Sequence, residues 1–276
     1  MALKDLLLFL DGGKRDEAHV ELTVALAQAH GAALTGLFVE RRVAEDLLLD
    51  APPSGVLMES IARERDVRRA EMKSLFEKLT RDKDVRCEFC VEAGDPAFWL
   101  GAYGCCSDLI VIGQPGEDDD LLGNGGVPGT VALTSGRPVL VIPRAGARTL
   151  NCERTIVAWN GSREAARAVN DAMPLLKGAA KVEVLTIGVE THPEVGTSAA
   201  EGMSRHLARH GIRAEPNALP RPEADPARVF MSHANRYGAD MVVMGAYGHS
   251  RLREFVLGGM TRELLNHSPV PLFLSH

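Results

Sequence analysis

The feature that most constrains this chain is that it repeats itself. Its 276 residues carry the same run of landmarks twice, in the same order. Leu6-Leu-Leu-Phe-Leu-Asp11-Gly-Gly-Lys-Arg-Asp-Glu-Ala18 is matched by Thr155-Ile-Val-Ala-Trp-Asn160-Gly-Ser-Arg-Glu-Ala-Ala166. Each is an apolar run, then Asp or Asn, then Gly, then a charged helix start. A second apolar run follows in each half, Ala33 to Val39 and Lys181 to Ile187. Asp108-Leu-Ile-Val-Ile-Gly113-Gln-Pro-Gly116 pairs with Asp240-Met-Val-Val-Met-Gly245-Ala-Tyr-Gly248, and Arg137-Pro-Val-Leu-Val-Ile142 pairs with Val270-Pro-Leu-Phe-Leu274. Duplication of one structural unit is the simplest account of this order. The units are expected at residues 1–146 and 150–276, joined by a short linker near 143–149.

Within each unit, short apolar runs alternate with longer helical stretches. The runs are apolar at successive positions, as strands covered on both faces should be. Strand–helix alternation implies parallel strands with right-handed crossovers. The pattern predicts strands near 5–10, 33–39, 85–91, 108–112 and 138–142, then near 154–159, 181–187, 212–217, 241–245 and 270–274. Helices are predicted near 15–30, 60–82, 95–105 and 125–135, then near 162–176, 197–210, 225–238 and 256–267. Residues 41–59, with Pro52, Pro53 and Gly55, read as a loop or short insertion. The fold class is α/β, with two tandem five-stranded parallel sheets of the doubly wound, Rossmann-like kind.

Composition is that of an ordinary globular chain, 45% hydrophobic and 25% charged. The net charge of −6 gives no basic balance for nucleic acid or an acidic membrane surface. Residues 1–150 hold 17 basic and 24 acidic side chains, and the rest 14 and 13. The second half is therefore the better host for an anion. The apolar stretch at the N-terminus is short and broken by Asp5, unlike a membrane span or a signal peptide. Five cysteines, an odd number, read as reduced thiols. The expected location is cytoplasmic.

The sharpest motif lies in the second half: Gly245-Ala-Tyr-Gly248-His249-Ser250-Arg251, then Gly258-Gly259-Met-Thr261. It follows a buried strand and runs into a helix. In open parallel sheets, ligands bind beyond the carboxyl ends of the strands, where the strand order reverses. Glycine permits close approach of backbone to a ligand. A helix starting near Gly258 points unpaired N–H groups and its positive end at an anion. Ser250 and Thr261 offer hydroxyls, and Arg251 a fixed positive charge. These are the parts of a phosphate cradle. The structural alternative is that Gly245 and Gly248 only make a tight turn and Gly258 only relieves a close contact.

The spacing Gly-x2-Gly-x9-Gly after the fourth strand resembles the ATP-binding signature of the universal stress protein family. Gly245, Gly248 and Gly258 match its glycines. Gly259 stands where the family usually has Ser or Thr, so the hydroxyl donor moves to Thr261. Asn160, followed by Gly161 and Ser162, matches the acidic residue that contacts the nucleoside. Ile187 matches the adenine-contacting backbone position, and Met244 closes the fourth strand. The resemblance covers both halves. It implies two domains packed as a pseudo-dimer, ATP or AMP as ligand with Mg²⁺ accompanying the nucleotide, and a regulatory role in stress response. The site residues it implies are Asn160, Gly161, Ser162, Ile187, Met244, Gly245, Gly248, His249, Ser250, Arg251, Gly258, Gly259 and Thr261.

The first half is a degraded copy. Gly113 and Gly116 remain, and Asp11 keeps the acidic position. The segment after Gly116 is Glu117-Asp118-Asp119-Asp120, whose carboxylates repel phosphate unless a metal bridges them. Asp118 to Asp120 read more simply as a solvated loop than as a cation site. Cys87-Glu-Phe-Cys90 falls on a strand, where residues three apart face opposite sides, so it is read as ordinary thiols. His206 and His210 lie one helical turn apart without the Glu of a zinc motif, and read as a solvated face. The charged helix around Arg63 to Glu71 reads as an exposed face laced with local ion pairs.

Phosphate-loop, dinucleotide-fingerprint and nucleophile-elbow motifs are missing from the sequence. No catalytic residues are assigned. Three functions follow as expectations: a nucleotide-regulated stress protein, a nucleotide-free scaffold acting through protein partners, or a slow ATPase using Glu254 or His249 with a metal. A homodimer is a further expectation.

Overall fold

The computed structural model describes residues 2–40, 55–116, 126–146, 150, 152–188, 193–220, 222–247 and 259–276. The first half contains strands β1 (Asp5–Leu10), β2 (Ala33–Glu40), β3 (Cys87–Ala93), β4 (Leu109–Gly113) and β5 (Val139–Ile142). Its helices are α1 (Asp16–His30), α2 (Gly55–Thr80), α3 (Pro96–Gly104) and α4 (Gly126–Thr134). The second half repeats the series with β6 (Arg154–Ala158), α5 (Arg163–Leu176), β7 (Lys181–Ile187), α6 (Pro193–Arg209), β8 (Ala214–Leu219), α7 (Pro226–Tyr237), β9 (Met241–Gly245), α8 (Gly259–His267) and β10 (Leu272–Ser275).

All strands within a half pair in parallel. The strand order β3-β2-β1-β4-β5 of the first half recurs as β8-β7-β6-β9-β10. Each sheet thus reverses its order between its first and fourth strands. The two sheets do not stand apart. β5 and β10 pair antiparallel, with Phe273 opposite Leu140, and join all ten strands into one sheet.

Successive strand residues point to opposite faces, so each apolar run supplies two cores. Leu6, Leu8 and Leu10 face one core with Val20, Met72 and Phe76 from α1 and α2. Val157, Val182 and Val184 continue that layer into the second half with Ala168, Ala200 and Leu207 from α5 and α6. Leu7 and Phe9 face the other core with Leu100, Val131, Phe230 and Leu264 from α3, α4, α7 and α8. Both faces are covered, which is why the strands read as continuous apolar runs rather than alternating ones.

The duplication extends to small polar devices. The Asp108 carboxylate accepts the N–H groups of Lys4 and Asp5, at 2.7 and 3.1 Å. Asp240 does the same for Glu153 and Arg154, at 2.7 and 3.0 Å. Asp95 caps α3 by accepting from Ala97 at 3.0 Å, and Asp225 caps α7 by accepting from Ala227 at 3.1 Å. Each is followed by a proline in the first turn, where the missing N–H costs nothing.

Some boundaries differ from the sequence expectation. Helix α2 begins at Gly55, so the end of the segment read as a loop is helical; residues 41–54 lie outside the described residues. Helix α6 begins at Pro193, four positions before its apolar periodicity becomes legible. Strands β3 and β8 start about two residues late. Both are edge strands with half-exposed faces, so their apolar pattern is weak.

Candidate functional site

In the second half, the crevice lies where β6 and β9 leave the sheet side by side, with Ala158 opposite Met244. Asn160 follows β6. Its Oδ1 accepts the N–H of Ser162 at 3.0 Å, a local turn that Gly161 completes at φ +72°. Ser162 then caps α5: its hydroxyl accepts the N–H of Ala165 at 3.1 Å, and the side chain is buried. Ile187 ends β7 on the neighbouring strand, half-buried. Met244 is buried in the core layer shared with α7 and α8.

Gly245 has a packing reason of its own. A Cβ there would sit 2.6 Å from the Ala165 nitrogen and 2.9 Å from the Glu164 Cβ. The first turn of α5 therefore presses directly on the end of β9. Gly259 is different: among the described residues an added Cβ would meet nothing within 4 Å. It opens α8, whose first turn contains the buried Thr261. Tyr247 is buried and holds a positive φ of 54°, a costly conformation for a residue with a side chain. The expected site residues Gly248, His249, Ser250, Arg251 and Gly258 lie outside the described residues, as do Glu254, Glu117 to Asp120 and Gly125.

Glu164 was not among the sequence candidates, and it stands at the crevice wall. It is buried, and its Oε1 accepts from the Arg163 Nε at 2.6 Å. Burial pushes its carboxyl up, but hydrogen bonds from Arg163, its own backbone and Ser162 prevail and hold it down at about 2. Its Oε2 has no hydrogen-bond partner among the described residues. An acid in a first helical turn is commonplace in sequence, so nothing marked this one as buried.

The first half builds the same crevice with other chemistry. Asp11 Oδ1 accepts the N–H of Gly13 at 2.7 Å, and Gly12 has φ +79°, the counterpart of the Asn160 turn. Here a second carboxyl, Asp16, is 1% exposed and accepts the Gly12 N–H at 2.8 Å. Burial, with Asp11 nearby, pushes it up to about 7 against the pull of backbone N–H groups. His19 lies 3.9 Å from it, pushed down to about 4 by burial and by Arg15. Gly113 leaves room for that imidazole, since a Cβ would fall 2.6 Å from its Cε1. Asp16, His19, Gly113 and Gln114 line a small pocket, with a cavity volume of about 20 Å³. Gln114 reaches across to the second half, donating to the Ser268 carbonyl at 3.3 Å.

Other sequence candidates resolve simply. Cys87 and Cys90 lie on β3 as free thiols. His206 and His210 have ring centroids 4.7 Å apart. Among the described residues, no three His, Cys, Asp or Glu side chains gather to hold a metal. No described helix is long and apolar enough to cross a membrane.

Comparison with known proteins agrees with this architecture. The family model described as "Universal stress protein family" matches residues 152–276. The Stress response protein NhaX of Bacillus subtilis is 36% identical over 52 residues, a stretch of 19% of this chain and 31% of that protein. The crystal structure of a universal stress protein from Archaeoglobus fulgidus aligns with TM-score 0.74 over 98% of this chain and 96% of that one, at 17% identity. A structure from Pseudomonas aeruginosa UCBPP-PA14 aligns with TM-score 0.62 over 99% and 93%, at 14% identity. At such identities the structures speak for the fold, which runs the full length of the chain, while the family model speaks for the second half. Residues 152–276 thus match the universal stress protein family model, and the chain is built as a tandem of two similar α/β units.

Proposed function

We propose that this stress protein binds an adenine nucleotide, ATP or AMP, in the crevice of its second domain, and that the nucleotide acts as a regulatory ligand. The domains in this reading are residues 1–146 and 150–276, and the protein works in the cytoplasm. The observation that carries it is the order reversal between β6 and β9, with the Asn160 turn on one side and the start of α8 on the other. Among the described residues no atom lies within 4 Å of a Cβ added at Gly259, and the N–H groups and dipole of the first turn of α8 are the groups for a phosphate. The Asn160 side chain and the Ile187 backbone are the groups for the nucleoside.

The buried Glu164 carboxylate places a negative charge on the wall of this crevice. Mg²⁺ arriving with the nucleotide phosphates would offset it; the described residues do not form a metal site on their own. Binding would act by favouring one arrangement of the protein over another, and requires only differential affinity. Thermal shift with ATP, AMP and GTP, each with and without Mg²⁺, tests the reading. Stabilisation by an adenine nucleotide and not by GTP is expected. No shift with any of them would refute it.

A second reading, a nucleotide-free scaffold for protein partners, is favoured by one set of facts. Gly245 is explained by its contact with α5, and the Ser162 hydroxyl is already used as a cap. Under that reading the protein purified from cells carries no nucleotide and responds to none.

A further inference from the structure

The five cysteines are free thiols, and they differ in what they can bind. Cys152 is buried, and burial pushes its thiol up to about 12. Cys87 and Cys90 lie on β3, where residues three apart face opposite sides of the sheet. Partial burial raises both of these thiols. Cys105 and Cys106 are adjacent, and both are exposed.

This pair closes α3. Cys105 is the C-cap, and the chain runs on through Ser107 and Asp108 into β4. Asp108 accepts the N–H groups of Lys4 and Asp5 at the start of β1. The pair therefore stands at the amino ends of β1 and β4, the end of the sheet opposite the crevice. Its backbone is tied on both sides. The Cys105 N–H donates to the Gly101 carbonyl at 3.3 Å, and the Cys106 N–H to the Tyr103 carbonyl at 3.2 Å. Arg137 Nη2 donates to the Cys105 carbonyl at 2.9 Å.

The second half shows that the fold does not ask for these thiols. There α7 ends on Tyr237 and Gly238, which stand before Asp240 as Cys105 and Cys106 stand before Asp108. Gly238 takes φ +69°, the left-handed cap that glycine favours. In the first half a thiol replaces that glycine, and neither cysteine of the pair packs in a core.

Adjacent thiols on a fixed turn are a two-pronged donor set for a soft centre. A disulfide between them would need sulfurs about 2.05 Å apart, and the right-handed helical backbone at Cys105 points neighbouring side chains apart. A bridging atom spans a wider gap. Among the described residues no third His, Cys, Asp or Glu gathers here, so zinc, which takes four ligands, is not served. A three-coordinate centre that brings its own third substituent needs only the two thiols. We propose that Cys105 and Cys106 form a chelating site for monosubstituted trivalent arsenicals. Both arsenic–oxygen bonds of the hydrated arsenical, R–As(OH)₂, are replaced by arsenic–sulfur bonds. Each thiol proton leaves with a hydroxide as water, and arsenic stays trivalent, so no oxidant or reductant takes part. Cys105 turns its thiol away from the Gly101 carbonyl, to which it donates at 3.2 Å, and its exposure leaves room for that turn. The site is independent of nucleotide binding in the second domain, and stands or falls separately.

Phenylarsine oxide tests this on the reduced full-length protein, freed of reductant. Intact-mass measurement is expected to show one phenylarsenic unit per chain, with two thiols lost to titration by a disulfide reagent. Dimercaptopropanol, a dithiol, should strip the adduct, and mercaptoethanol at the same thiol concentration should not. In Cys105→Ser and in Cys106→Ser, binding should weaken by about 100-fold or more, since one arsenic–sulfur bond lacks the second anchor. The C87S/C90S variant should bind as the native protein does. Far-UV circular dichroism checks that the variants stay folded, as expected for exposed thiols. Absence of an adduct on the native protein would overturn the proposal. So would tight binding that survives in either single variant, or binding that is lost in C87S/C90S.

Discussion

At the residue scale, two buried carboxyls near the starts of α1 and α5 are tuned in opposite directions. Glu164 finds Arg163 and stays ionised at about 2; Asp16, buried beside Asp11 and with no cationic partner, rises to about 7 against the pull of backbone N–H groups. Asp16 in the folded state binds its proton more tightly than in the unfolded chain. Its contribution to stability is therefore fully present below about 4 and is lost as pH rises to about 7. His19 acts in reverse: its folded value of about 4 means stability is gained as pH rises from there to about 6.5. Across that shared window the two largely cancel. Asp16→Asn removes one side of the balance while keeping an oxygen for the Gly12 N–H. Its stability relative to wild type should grow by on the order of 2–4 kcal/mol between pH 4 and pH 7.5. Urea unfolding at several pH values measures this; a difference that stays flat with pH would contradict it. On the second domain's side of the fold, Ser162→Ala removes the α5 cap and should cost about 1 kcal/mol in the same assay.

At the scale of elements, the contacts between strand ends and first helical turns decide what the glycines are for. Gly245→Ala pushes a methyl into the backbone of Ala165, which cannot yield as a flexible side chain would. A loss of about 1–3 kcal/mol is expected, read by thermal unfolding. Gly36→Ala meets the Phe76 ring at 2.5 Å and should also destabilise, by separating β2 from α2. The strand–helix order and the duplication were legible, because doubly covered strands write themselves as apolar runs. The edge strands β3 and β8 were misplaced by about two residues because half their side chains meet water. The repeated Asp95-Pro96-Ala97 and Asp225-Pro226-Ala227 caps were there to be read and mark the starts of α3 and α7. The burial of Asp16 and Glu164 depends on how helices seat on the sheet. No spacing rule encodes that.

At the scale of the whole molecule, the chain is one ten-stranded sheet rather than two sheets in contact. The antiparallel β5–β10 ladder is reinforced by polar bonds across the junction. Gln114 donates to the Ser268 carbonyl and accepts the Arg144 N–H at 2.8 Å, and Arg144 donates to the Asn266 carbonyl at 2.7 Å. On the other side, Arg167 donates to the Gly136 carbonyl at 3.0 Å and pairs with Asp171, which accepts from Ser275 of β10. Gln114 belongs at once to the first crevice and to the junction, so events in one domain have a short path to the other. Calorimetry should show one unfolding transition for the native protein. The Q114A/R144A variant should lose about 1–3 kcal/mol and broaden or split that transition; an unchanged single transition would show that the ladder alone suffices.

The most direct test of the central claim uses Gly259, at the start of α8, where an added Cβ meets no atom of the described residues within 4 Å. Gly259→Asp puts a carboxylate at the start of α8, where it favours the helix and opposes a phosphate. Isothermal titration of ATP with Mg²⁺ is run on both proteins. The account predicts one site per native chain, and no measurable heat in the variant although it unfolds no lower than the native protein. Undiminished binding in the variant, or no heat in the native protein, would contradict it.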